Sequence, residues 1–159
     1  MITRQDIRFV RSPWLLALAV VGAVACRGGS SSSTQPSPNP ATTANVSGSW
    51  SGSASDSSGP GQMTWQLTQT DTSFIGTATV TDTTTGVSGA GSVSGTVTGA
   101  TVQFLITIPA GGFSSPYATC SANVSGSGQA TSSTITGTYT GTSSCAGTLG
   151  SGQFTLNKQ

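Results

Sequence analysis

Few side chains in this chain are of the kinds that do chemistry. Its 159 residues include no histidine, and the charged groups amount to five Lys/Arg and four Asp/Glu. From Asn45 onward the only basic residue is Lys158, set against Asp56, Asp71 and Asp82. General acid–base catalysis needs a positioned titratable group. Serines are abundant, but no histidine is available to activate one, and Lys158 lies at the C-terminal end. Two carboxylates can share acid and base roles when the fold holds them close and separates their pKa values. Here Asp71 falls in Gln-Thr-Asp-Thr-Ser and Asp82 in Thr-Asp-Thr-Thr-Thr-Gly, both turn sequences. The composition therefore predicts no catalytic residue and no enzyme. Zinc and iron sites draw on His, Cys or grouped carboxylates, and calcium loops need a fixed acidic spacing. Neither pattern occurs, so no metal and no other cofactor is expected. Binding nucleic acid requires Lys and Arg to neutralise phosphates, and a single lysine excludes it as a partner.

The remaining reactive groups are three cysteines, Cys26, Cys120 and Cys145. Cys26 ends a distinctive segment. Arg4, Arg8 and Arg11 precede an apolar run over 14–24, and small residues lead into the cysteine. A basic start, an apolar stretch of about 7–15 residues and a small-residue cleavage site define a secretory signal. The run is short of the roughly 20 residues a bilayer span requires. Ala23-Val24-Ala25-Cys26 resembles the lipobox of bacterial lipoproteins, in which the cysteine takes a diacylglycerol thioether and becomes the mature N terminus. The resemblance implies lipidation at Cys26 and attachment to a membrane through that lipid. Arg27 rather than an aspartate after the cysteine implies the outer membrane. Ala23-x-Ala25 also suits an ordinary signal peptidase, which would leave a secreted or periplasmic chain. If lipid occupies Cys26, Cys120 and Cys145 remain as a pair in a compartment where disulfides persist. The alternative is two separate thiols.

Residues 1–25 thus read as a signal peptide and 26–45 as a lipidated cysteine with a disordered Ser/Pro-rich linker. The segment 46–159 reads as one all-β domain. Apolar residues there alternate with Ser and Thr at period two. Strands are expected at 46–54, 62–70, 73–81, 87–98, 101–108, 117–129, 134–141 and 152–158, with tight turns at Gly99-Ala100 and Ser132-Ser133. Met63, Trp65 and Leu67 share one face of the second strand, and Val102, Phe104, Ile106 and Ile108 one face of the fifth. A short motif, apolar–Ser/Thr–Gly–Ser/Thr–apolar, recurs at Val46–Trp50, Val93–Val97 and Ile135–Tyr139, and at Phe74–Ala78 with Ile75 in second place. Its glycine keeps a constant phase on the apolar face, a device for bending strands. A sheet with one apolar face must close on itself or pack on a second sheet. The expectation is an eight-stranded antiparallel up-and-down β-barrel, with a two-sheet β-sandwich or, less fittingly, a solenoid as alternatives.

Gly48-Ser49-Trp50 looks like the G-x-W that opens lipocalin and avidin-type, calycin-like barrels. That resemblance implies that Trp50 plugs one end and that Lys158, on the last strand, lies over its ring. Two functions follow. The first is a structural or interaction module of the cell surface, whose hydroxyl-coated wall meets an envelope protein partner. The alternative is a small hydrophobic ligand held inside the barrel, lined by Trp65, Phe104, Tyr139 and Phe154, with Trp50 closing the far end. Barrels of this size are either filled by side chains or hold one ligand.

Overall fold

The computed structural model describes residues 42–159. The expected signal peptide, Cys26 and the linker up to residue 41 lie outside the described residues. Eight strands follow in order: β1 (Gly48–Asp56), β2 (Gly59–Thr70), β3 (Ser73–Asp82), β4 (Ser88–Thr98), β5 (Thr101–Ile108), β6 (Ala122–Ala130), β7 (Thr134–Ser143) and β8 (Gly147–Lys158). Each pairs antiparallel with the next, and β8 returns to β1, from Trp50 opposite Lys158 to Ser55 opposite Gln153. The sheet is a closed up-and-down barrel, which overturns the sandwich and solenoid alternatives. Closure leaves no strand edge unpaired.

Period-two alternation is what rolls the sheet. Inward positions of β2 and β5 are buried, while their neighbours Gln62, Thr64, Gln66, Gln103 and Leu105 face out. The outer wall is largely Ser and Thr, as at Thr136, Thr138 and Thr140 of β7. A membrane-spanning barrel carries its apolar band outward; here most apolar side chains of the strands point in, with Ile75 and Leu105 the exposed exceptions.

Inward glycines make the tight curvature possible. A Cβ at Gly126 would sit 2.6 Å from Phe104 Cζ, and one at Gly137 would sit 2.9 Å from Phe154 Cε1. Each ring lies where a neighbouring strand has no side chain. Gly76, Gly95 and Gly137 of the repeated motif all press against the backbone of an adjacent strand.

The strand limits that differ most from the sequence expectation are the starts of β6 and β8. Residues 117–121 belong to the long β5–β6 loop, not to β6, and β8 starts at Gly147 rather than 152. The loop segment bonds to itself and to β4 instead of to a neighbouring strand: Gly111 N–H donates to Ala118 O at 2.6 Å, and Ser114 N–H to Ser88 O at 2.8 Å. β8 gains its extra residues through an irregularity opposite Tyr139 and Gly141, which restores pairing from Leu149 down to Gly147.

Candidate functional site

The two ends of the barrel are built differently. The end carrying the β2–β3, β4–β5 and β6–β7 turns is closed. Residues 42–47 cross it, with Val46 fully buried and Ala44 N–H donating to Gly99 O at 2.8 Å. Gln69 fastens this segment: its Oε1 accepts from Val46 N–H at 2.7 Å and its Nε2 donates to Ala44 O at 3.1 Å. Trp50 lies beneath, its indole N–H donating to Val46 O at 2.8 Å. Lys158 Nζ stands 5.3 Å from the centroid of the Trp50 ring. The G-x-W glycine has a physical role here. Gly48 takes φ +119°, a region side chains rarely adopt, and a Cβ on it would meet the Lys158 stem at 3.2 Å.

Further into the barrel, beyond Trp50, the interior is filled by aromatic rings. Trp65 and Phe104 pack edge-to-face with centroids 4.9 Å apart, and Phe154 stands 5.6 Å from Trp65 and 5.4 Å from Phe104. The Trp65 indole N–H is buried and finds no acceptor.

The opposite end is open. Here lies a cavity of about 370 Å3. Its walls are mainly apolar: Met63, Val80, Ile108, Ala122 and Val124 from the strands, with Phe113, Tyr117 and Leu149 nearer the rim. The ionisable groups in the lining are the carboxyls of Asp56 and Asp82 and the hydroxyls of Tyr117 and Tyr139. Tyr139 donates to Asp56 Oδ2 at 2.9 Å, and Asp56 Oδ1 accepts from Ser58 N–H at 2.7 Å. Burial first, then the hydrogen bond to Asp56 and its negative charge, hold the Tyr139 phenol well above the usual tyrosine range.

The β5–β6 loop partly roofs this end. Phe113 bridges to Gly89 and fills the space a side chain there would need, with Cδ1 2.7 Å from the Cβ position. The loop is tied to the β7–β8 turn by the Cys120–Cys145 disulfide, whose Cα atoms are 5.6 Å apart. Ser144 N–H donates to Ser121 O, and Ser121 N–H to Ser144 Oγ, both at 2.9 Å. Both cysteines also line the cavity.

The residues singled out from sequence are therefore distributed unevenly. Trp50 and Lys158 meet at the closed end, and Cys120 and Cys145 join at the open one. Of the four aromatics assigned to a ligand, Tyr139 lines the cavity, whereas Trp65, Phe104 and Phe154 do not. They interlock one another in the filled half, because inward glycines on β6 and β7 let the rings cross the barrel axis. Asp71 and Asp82 cap opposite ends of β3 and form no pair. At a strand rise of about 3.3 Å per residue they are roughly 30 Å apart. Asp82 Oδ1 accepts from Thr84 N–H at 2.7 Å and Thr85 N–H at 3.2 Å within its own turn. These bonds, Thr84's first, keep its carboxyl below the usual carboxylate range.

Sequence reasoning missed Phe113, Tyr117 and Asp56. A signal existed for Phe113, an apolar residue flanked by Gly111-Gly112 and Ser115-Pro116. An apolar side chain in such a turn-rich stretch has no strand face to join and must pack elsewhere.

The architecture is consistent with a calycin-like barrel. No family model matches the chain, and no curated protein matches it as a relative.

Proposed function

We propose that this protein is an exported, lipid-anchored lipoprotein of the cell envelope whose non-catalytic, lipocalin-like barrel binds a small hydrophobic ligand in its open half. The observation that carries the binding reading is the cavity of about 370 Å3. Its size and largely apolar walls are those of ligand pockets. A wholly filled interior would instead have favoured a surface module that meets only a protein partner.

Support for the anchor comes from the N-terminal sequence and from cysteine arithmetic. With Cys120 and Cys145 joined to each other, Cys26 is the remaining cysteine. The described chain enters the barrel across its closed end.

Titration with N-phenyl-1-naphthylamine tests binding. Saturable fluorescence enhancement at one site is expected, and Val124→Trp, which fills the cavity, should abolish it while the circular dichroism stays that of a β-barrel. A flat titration of the folded protein would sink the binding reading. Intact mass of protein from the membrane fraction tests the anchor: a diacylglycerol adduct on Cys26 is expected, and an unmodified thiol there counts against it.

A further inference from the structure

Resting on that binding reading, a second question concerns the head group of the occupant. We infer that the cavity takes a small apolar molecule bearing an amine head, which Asp56 receives at the rim, and that it rejects the carboxylate of the same carbon skeleton.

The charge around the cavity has one sign. Asp56 and Asp82 line it, and among the described residues no lysine or arginine does. The one basic residue described, Lys158, is at the far end over Trp50. Deeper in, the lining is Met63, Val80, Ile108 and Val124, which offer nothing to a polar head. Among the described lining residues the charged groups are these two carboxylates, beside neutral hydroxyls such as that of Tyr117.

Of the two acids, Asp56 has the suitable setting. Asp82, the last residue of β3, is half-buried too, but its carboxylate bonds only to N–H groups of its own turn, and no side chain from across the barrel holds it toward the cavity. Asp56 is half-buried and fixed beside the cavity by Ser58 N–H at 2.7 Å and the Tyr139 hydroxyl at 2.9 Å. A carboxylate has about four acceptor positions, so these two bonds leave capacity for a donor from a ligand. Because Tyr139 keeps its proton, it remains a donor and holds the Asp56 carboxylate in place. An ammonium would make a charge-assisted bond there, roughly twice as strong as a neutral one. A fatty-acid-like head would meet two like charges and no cation, and like charges a few ångströms apart cost on the order of tenfold or more in affinity.

Calorimetric titration of the full barrel with octylamine, octanol and octanoate, all below micelle formation, separates the terms. At neutral pH and low salt, octylamine should bind on the order of tenfold more tightly than octanol, and octanoate at least tenfold more weakly. Asp56→Asn should bring the three within about threefold while octanol binding is unchanged; Asp82→Asn should keep the amine preference. Raising the salt to about 0.5 M should shrink the preference in the wild-type protein without affecting octanol, which serves as the test if Asp56→Asn fails to fold. If octanol binds and octylamine binds no better, or if the preference is indifferent to both Asp56 and salt, the head-group inference falls and the binding reading stands. If none of the three binds, both fall.

Discussion

At the scale of single residues, the barrel depends on what is missing as much as on what is present. Gly137 and Gly126 make room for Phe154 and Phe104, and the rings in turn fill the space the glycines leave. Gly137→Ala would place a methyl 2.6 Å from Gly128 Cα and 2.9 Å from Phe154 Cε1. Backbone cannot yield as a flexible side chain does, so a loss of about 1–3 kcal/mol in urea unfolding is expected. Ser127→Ala, on the exposed outer face between them, should stay within about 0.5 kcal/mol. Tyr139 gives a prediction of a different kind. Its folded phenol keeps its proton to higher pH than the unfolded one. The associated stability is whole below the unfolded value near 10 and is lost as pH rises toward the raised folded value. Tyr139→Phe should cost about 1 kcal/mol at neutral pH, through the lost hydrogen bond to Asp56. It should also remove the latest component of the tyrosinate absorbance titration and flatten the fall of unfolding free energy above about pH 10.

At the scale of elements, the informative unit is the β5–β6 loop with the β7–β8 turn. Together they frame the cavity mouth and are joined by a disulfide spanning a sequence separation of 25. A loop of that length contributes about 3 kcal/mol in the chain-entropy model. Replacing both cysteines by alanine should lower stability by roughly that amount. Hydrogen exchange should then rise first in 109–121, with β2 and β3 retaining their protection. Uniform loss of protection across the barrel would show that the bond supports the whole sheet rather than its mouth. The sequence was most readable and least readable within this same unit. The pairing of Cys120 with Cys145 is the one expected if lipid occupies Cys26, and the bond is present. The loop's path was not readable, since Tyr117 to Cys120 has strand-compatible residues whose backbone bonds run to the loop itself, Cys120 N–H to Tyr117 O among them.

At the scale of the whole molecule, the two ends perform separate tasks. Val46, Gln69, Trp50 and Lys158 seal one, and the aromatic trio separates that seal from the cavity. Changes at the seal should therefore alter stability and leave binding alone. Val46→Ala is expected to cost roughly 2 kcal/mol, because a fully buried apolar side chain is truncated above Trp50. Its affinity for an apolar probe should match the wild-type value within error. A parallel loss of affinity would mean that the ends communicate and that the filled half is not a rigid partition.

Alternation of apolar and hydroxyl residues was enough to assign the fold class, the number of strands and the inward face. Side-chain direction in a strand depends only on parity, so these are local properties. The G-x-W sequence and a lone late lysine were enough to foresee the Trp50–Lys158 contact by resemblance. Where the interior is solid and where it is hollow was not readable. Trp65, Phe104, Tyr139 and Phe154 all carry the inward parity, yet three of them interlock and one lines the cavity. That division depends on which glycine of a neighbouring strand stands opposite each ring, and on a loop folding over the rim. Register and loop path are long-range relations between segments far apart in the chain, and no stretch of residues encodes them by itself.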